Sequence, residues 1–336
     1  MKSAYVKSPY QFEIRDIVLR EIGPDEVLVK IKACGICGSD MHTASSQAPD
    51  WTPFGHEVAG IVEKIGHHVE NIKAGDRVAL ESSTFCRYCS NCRNGRVDLC
   101  HEGQNAMANS DHGGFGEYII AAKEQVVNIG NIPFEEAALI EPLGVAFDLL
   151  YTADIRLNDD VLVVGLGPIG LMALKLAKLS GARNVYAAAR STSEKRIQTA
   201  MKFGASAVIH TDKINLEEYR FARGGVDKVL VTDPPKTIPS ALKVLNYGGI
   251  AAYLGFDFDE ENITINANDF HFKRLQLRAS FAAPALYFPR CIDMIGSGMF
   301  DVKELITHRF KLENIKQAME TLRDNKADII KMVILE

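Results

Sequence analysis

The sequence predicts a two-domain α/β protein that joins an irregular β-rich part to a doubly wound parallel sheet. Three observations carry this. The chain has 336 residues, more than one ordinary hydrophobic core serves. Its first third reads as short alternating strands between tight turns. From Asp160 onward, continuous apolar strands alternate with helical segments, the texture of a parallel sheet covered on both faces.

In the first part, Glu26 to Ala33 places Val27, Val29, Ile31 and Ala33 on one strand face. Val58 to Lys64 and Arg77 to Leu80 read the same way, with Gly-Pro at 23-24 and Ala-Gly-Asp at 74-76 as turns. Pro133 opens a helical stretch, Phe134 to Leu150, which Pro142 is expected to interrupt. Val161 to Val164 is a buried strand followed by a helix from Ile169 to Leu179. Further strands are expected near Val185 to Ala188, Ala207 to His210, Val226 to Val231 and Ile250 to Leu254. Pro284 to Glu336 holds two or three helices and ends on an apolar strand, Ile329 to Leu335.

Composition narrows the function classes. Hydrophobic residues make up 47% and charged residues 24%, as in soluble globular proteins. A net charge of -5 offers no field for nucleic acid or an anionic membrane, so neither is expected as a partner. Met1 to Leu19 is interrupted by Lys2, Lys7, Pro9 and Arg15, and the apolar run Val161 to Leu174 is broken by glycines and Pro168. Neither reads as a signal peptide or a membrane span, and a cytoplasmic location is expected. Four of the seven cysteines lie within fifteen residues, which argues for a metal rather than disulfides.

Gly165-Leu-Gly167-Pro168-Ile169-Gly170 sits between a buried strand and a helix. In that setting the glycines permit a tight turn, close approach of a pyrophosphate, and close packing of helix on strand. The free amides at the helix start then face the phosphates. About twenty residues on, a site for NAD usually presents an acid to the adenosine ribose. Here position 189 is alanine, followed by Arg190 and Ser191, with Lys195 on the next turn. Loss of the acid and gain of a guanidinium favour NADP(H) over NAD(H). The alternative is a solvated Arg190, with NAD bound without the acid.

Two groups of residues have metal-binding chemistry. Cys86, Cys89, Cys92 and Cys100 form a Cys-x2-Cys-x2-Cys-x7-Cys loop. Four thiolates at this spacing can close a tetrahedral zinc shell of structural type. An iron-sulfur cluster also uses four thiolates, and a nucleic-acid-binding zinc module would share the spacing; the acidic charge speaks against the latter. The second group is dispersed: Cys37, His56, Glu57 and Glu141. Together they would make an open zinc site, but taken singly each has an ordinary structural reading, and spacing does not unite them.

Read in order, Gly-Ile-Cys-Gly-Ser-Asp-Met-His (35-42), Gly-His-Glu-Val-Ala-Gly (55-60), Ala-Gly-Asp-Arg-Val-Ala (74-79), the four-cysteine loop, Gly-Gly-Phe-Gly-Glu-Tyr (113-118) and Glu-Pro-Leu (141-143) precede the nucleotide motif. This set resembles the zinc-dependent medium-chain dehydrogenases, in particular the branch similar to sorbitol dehydrogenase, from Glu26 to the final strand. The resemblance implies a GroES-like catalytic domain over residues 1-144 and 281-336 and a Rossmann domain over 145-280. It implies two zinc ions per subunit, one structural in the four-cysteine loop and one catalytic. Cys37, His56 and Glu57 would hold the catalytic ion, with Glu141 at the site directly or through water. Ser39 and His42 would relay the proton. The activity implied is hydride transfer between the nicotinamide cofactor and a secondary alcohol or ketone of a polyol or sugar-like substrate, in a cleft between the domains.

Two departures bear on the substrate. The branch's tyrosine after the relay histidine is Thr43 here, and its late Arg-Tyr pair is Arg278-Ala279. A short loop from Thr43 to Pro53 carries Trp51, the only tryptophan. These departures weigh against sorbitol itself and toward a cyclitol, amino-cyclitol, sugar phosphate or keto-sugar. Ser39, Trp51, Glu141 and Arg278 are the expected substrate contacts; a salt bridge at the domain seam is the alternative for Arg278. Threonine and glucose dehydrogenases share this scaffold and stay open, as does a non-catalytic NADP(H)-binding role. The resemblance also implies a homodimer or homotetramer, with subunit contacts expected in Gly248 to Asn266 and Leu277 to Phe288.

Overall fold

The computed structural model describes residues 1-102, 112-258, 260-281 and 286-336. It divides into two compact units, Met1–Gly144 with Ala283–Glu336, and Val145–Ala282. The first unit begins with β1 (Lys2–Lys7), β2 (Gln11–Asp16), β3 (Glu26–Gly35) and β4 (Thr52–Pro53). It continues with β5 (Glu57–Ile65), β6 (Arg77–Leu80), β7 (Tyr118–Ala122) and β8 (Val126–Asn128). The second unit contributes β9 (Asp160–Val164), β10 (Asn184–Ala189), β11 (Ala207–His210), β12 (Val226–Val231), β13 (Leu245–Tyr253) and β14 (Gln276–Ala279). β15 (Ile306–Lys311) and β16 (Lys331–Leu335) belong to the first unit again.

In the first unit the main sheet runs β15-β16-β3-β5-β6-β8, with β7 also paired to β3. Its core follows from the alternation in β3, where Val27, Val29 and Ile31 are buried with Val58, Val62, Val78, Leu80, Ile119, Met332 and Ile334. Register matters for the site. Gly35 pairs with Glu57 of β5 on one side and with Val333 of β16 on the other. The end of β3, the start of β5 and the start of β16 are thereby gathered at one place.

Three features differ from the sequence expectation. The helical stretch after Pro133 divides before Pro142, into Phe134–Ala137 and Ile140–Thr152. Pro142 then falls in the first turn of the second helix, where its missing N–H breaks no intrahelical bond. The segment around Thr307 is a strand, β15, parallel to β16, and the first sixteen residues form an antiparallel β1/β2 ribbon that the expected pattern omits.

The second unit is a six-stranded parallel sheet in the order β11-β10-β9-β12-β13-β14. β9 is wholly buried, as its unbroken apolar run requires. Leu162, Val164, Val229, Val231 and Ala251 pack on one face against Ile238 and Leu242. Strand order reverses between β9 and β12, the place where such sheets bind ligands beyond their carboxyl ends. Among the described residues, no helix is long and apolar enough to cross a membrane.

Candidate active site and metal centres

β3 ends at Gly35, and Cys37 two residues later caps the short helix Gly38–His42. The Cys37 amide donates to Asp40 Oδ2 at 2.8 Å, which fixes the turn that presents the thiol. Asp40 Oδ1 lies 3.9 Å from His56 Nδ1. The ligand atoms of Cys37, His56 and Glu57 all fall within 4.8 Å of one another.

Glu57 is fully buried, and its Oε1 accepts from Lys331 Nζ at 2.5 Å. Lys331 also donates to the Ile36 carbonyl at 2.8 Å. Glu57 Oε2 is buried without a hydrogen-bond partner. A Cβ on Gly35 would sit 2.0 Å from that oxygen, so the carboxylate can lie here only because position 35 has no side chain. Glu141 is buried outside the tight cluster, with its Oε1 accepting from Ser82 Oγ at 2.7 Å.

The electrostatics follow from burial. Burial raises the Asp40 and Glu141 carboxyls, and repulsion from Glu57 adds to it. Burial would lower Lys331, but the Glu57 and Cys37 charges outweigh it and leave the ammonium raised. Burial would likewise lower His56, yet the Cys37 thiolate, Asp40 and Glu141 lift it well above the usual imidazole value. A metal ion taken up here would displace that proton. A thiolate, an imidazole and a carboxylate with an unused oxygen form a donor set that fits zinc.

The second thiol cluster is complete within its loop. The ligand atoms of Cys86, Cys89, Cys92 and Cys100 also lie within 4.8 Å of one another. The Cys86 amide donates to Cys100 Sγ at 3.2 Å and the Cys89 amide to Cys86 Sγ at 3.3 Å. Burial works against the Cys100 thiolate, but the amides of Cys86 and Glu102 bring it down to about 6. Cys100 is thereby prepared to act as a thiolate, whereas burial pushes the Cys92 thiol up to about 12.

In the second unit, Gly165 follows β9 at φ 95°, a left-handed conformation. Gly167 caps the helix Pro168–Leu179, and Pro168 takes its first position. A Cβ on Gly170 would lie 2.0 Å from the Gly165 carbonyl, so helix and strand touch backbone to backbone. Ala189 is buried at the end of β10, while Arg190 and Lys195 are exposed. The Ser191 amide and hydroxyl both donate to Asp212, at 2.7 and 2.6 Å.

Residues 23-131 match the alcohol dehydrogenase GroES-like domain, and residues 168-297 match the zinc-binding dehydrogenase domain. The chain is 32% identical to the sorbitol dehydrogenase of Bacillus subtilis (strain 168), over 99% of this chain and 97% of that protein. The chain belongs to the zinc-dependent medium-chain alcohol dehydrogenases. It is also 34% identical to an L-threonine 3-dehydrogenase of Caldanaerobacter subterraneus subsp. tengcongensis, with 96% of each chain covered. A putative zinc-binding dehydrogenase from Sinorhizobium meliloti 1021, solved with NADP, superposes with a TM-score of 0.89 at 26% identity, covering 100% of this chain and 99% of the other. A protein described as a short chain alcohol dehydrogenase from E. coli CFT073, solved with NADH, gives 0.92 at 26% with the same coverage.

For this zinc-dependent alcohol dehydrogenase, the remaining expected residues fall as follows. Ser39 and His42 lie on the helix that Cys37 caps, Ser39 half-buried and His42 exposed. Trp51 is half-buried, with the Arg15 guanidinium 5.0 Å from its ring centre. Arg278 lies on β14, where it donates to the Thr152 carbonyl at 3.0 Å and to Gln276 Oε1 at 2.7 Å; this is not a salt bridge.

Sequence reasoning missed Asp40, Lys331 and Asp212, and also Glu81. Glu81 follows β6, next to Ser82, is buried, and is pushed up to about 8 by burial. Because its folded value lies above its ordinary 4.5, the folded state keeps a proton that the unfolded state releases. Stability is therefore full below about pH 4.5 and is lost as pH rises through about 8. Glu81→Gln removes that dependence. It is expected to be more stable than wild type by about 1–3 kcal/mol at pH 9 and equal near pH 4.5. Urea unfolding at the two pH values checks this, and equal differences at both would count against it.

Proposed function

We propose that this dehydrogenase oxidises a secondary hydroxyl on a small polyol, cyclitol or sugar-like substrate, or reduces the matching ketone, with NADP(H) favoured over NAD(H). The convergence of Cys37, His56 and Glu57, with buried Glu141 beside them, is the observation that supports it most. We assign the catalytic zinc to Cys37, His56 and Glu57, with Glu141 reaching it directly or through water. A second, structural zinc is assigned to Cys86, Cys89, Cys92 and Cys100.

When bound, the zinc ion supplies a Lewis acid that acidifies a substrate hydroxyl. The nicotinamide supplies the hydride acceptor. The protein's part is positioning and proton movement. Ser39 and His42, three residues apart, share one side of their helix, and the exposed imidazole can pass the substrate proton to solvent. Glu141, held by Ser82, offers a second buried proton acceptor.

The test is reduction of NADP+ and NAD+ across polyols, cyclitols, aldoses, sugar phosphates and threonine. NADP+-linked turnover confined to a polyol or sugar-like class is expected. Threonine turnover alone would replace this reading with the second one, which the 34% identical threonine dehydrogenase favours. Arg190→Asp is expected to weaken NADPH at least about tenfold more than NADH. An unchanged preference in fluorescence titration would remove Arg190 from the phosphate site.

We further propose a homodimer or homotetramer joined through the second unit. β14 ends the sheet, and Tyr247, Phe272 and Phe281 are between 72% and 80% exposed. Of the expected contact segments, residues 259 and 282-285 lie outside the described residues. Light scattering at monomer mass would overturn this.

A further inference from the structure

We propose that Asp212 supplies, from the neighbouring strand, the carboxylate that position 189 lacks, and so holds the preference for NADP(H) below what the surrounding cations alone would give. This rests on the placement of the adenosine ribose beside residues 189-191 proposed above.

β10 and β11 run parallel, with Ala189 paired to His210. The Thr211 amide donates to the Ala189 carbonyl at 3.0 Å, so the turns leaving the two strands stay side by side. Asp212 therefore stands next to the place where a dinucleotide site usually presents its acid. It reaches across to the β10 turn, where Oδ1 accepts from the Ser191 amide at 2.7 Å and Oδ2 from the Ser191 hydroxyl at 2.6 Å.

Two consequences oppose a 2′-phosphate. The Ser191 amide and hydroxyl are the donors a phosphate would meet first at this strand end, and both are already engaged. The group engaging them is also negative. The two Ser191 bonds hold its carboxyl down to about 2, with the Lys213 charge adding to the effect, so it is ionised throughout the neutral range. With the two Ser191 bonds and its own amide engaged, the carboxylate still has acceptor capacity for a ribose hydroxyl, as an acid at position 189 would. Against this stand Arg190 and Lys195, both exposed and both suited to phosphate. The site thus carries opposed devices on adjacent turns, attraction from Arg190 and Lys195, and repulsion from Asp212.

The experiment compares NADPH and NADH binding by fluorescence titration to the zinc-loaded, full-length enzyme and its Asp212→Asn and Asp212→Ala variants. In both variants the ratio of NADPH to NADH affinity is expected to rise on the order of tenfold, and less at high salt, because the lost charge is exposed. Equal loss of both cofactors would mean that Asp212 only shapes the turn, and an unchanged or lower ratio would overturn the proposal outright. Arg190→Asp separates this from the reading beneath it. If that variant leaves the ratio at the wild-type value while the Asp212 variants shift it, the Arg190 assignment fails and Asp212 stands. The reverse pattern keeps Arg190 and removes Asp212.

Discussion

Replacing Cys37 by serine is expected to lower turnover by about three orders of magnitude or more, while cofactor affinity stays within about twofold. The thiol contributes at two levels. It is the one sulfur donor in the cluster with His56 and Glu57, and its charge is the main force that raises His56 against burial. A hydroxyl is a poor zinc ligand and stays protonated at neutral pH, so both contributions disappear. The Cys37 amide still donates to Asp40, so the turn and the helix it caps should keep their shape. The proposed cofactor contacts, from Gly165 to Lys195, lie in the second unit and should be untouched. On the two-zinc assignment proposed above, zinc content should fall from two ions per chain toward one. Cys92→Ser should behave differently, because the four sulfurs of its loop lie close enough to close a metal shell with no open position, the structural site proposed above. Lost thermal stability is expected there. Identical phenotypes for the two variants would dissolve the division into catalytic and structural zinc.

How far the sequence revealed this site depended on how far apart its parts lie in the chain. The four-cysteine loop was legible because its ligands are local, and the glycine motif because strand, turn and helix follow one another directly. Cys37, His56 and Glu57 were united only by resemblance. Their meeting depends on the β3/β5 register that sets Gly35 against Glu57, and periodicity does not specify which strands pair. Lys331 lies 274 residues from Glu57 and went unread, although a lysine inside the apolar run Ile329 to Leu335 was a signal. A cation there must be paired, and the sequence did not say with what. Asp40 was quoted within a motif without its capping role, which its position three residues after Cys37 permits. Asp212 had no signal at all, since its contact with Ser191 arises from sheet order. The expected interruption falls just ahead of Pro142 rather than at it, for a local reason: a proline in a first turn starts a helix as readily as a later one breaks it.

Lys331→Met is expected to destabilise the first unit by about 3–5 kcal/mol in the metal-free protein. Glu57 and Lys331 are 0% and 2% exposed and form a buried pair at 2.5 Å. Methionine is unbranched and of similar length, so the cost comes from charge rather than from a cavity. Removing the ammonium leaves Glu57 with no partner at Oε1, while Oε2 already has none. It also strips the donor from the Ile36 carbonyl. A buried carboxylate left in this way has only two remedies, protonation or a cation. Zinc loading should therefore recover more stability in the variant than in wild type, a difference that scanning calorimetry with and without the metal would resolve. For a unit of this size the metal-free melting temperature should fall on the order of 10 °C. Adding Glu57→Gln should return at least about 2 kcal/mol, because the amide no longer needs a counter-charge. A single variant within about 1 kcal/mol of wild type, or a double variant showing no recovery, would mean that water or another cation serves Glu57 in solution. The pair also connects stability to catalysis. If Lys331 is what aims Glu57, the single variant should lower kcat even when fully loaded with zinc, whereas a purely structural pair would leave the loaded enzyme's kcat unchanged.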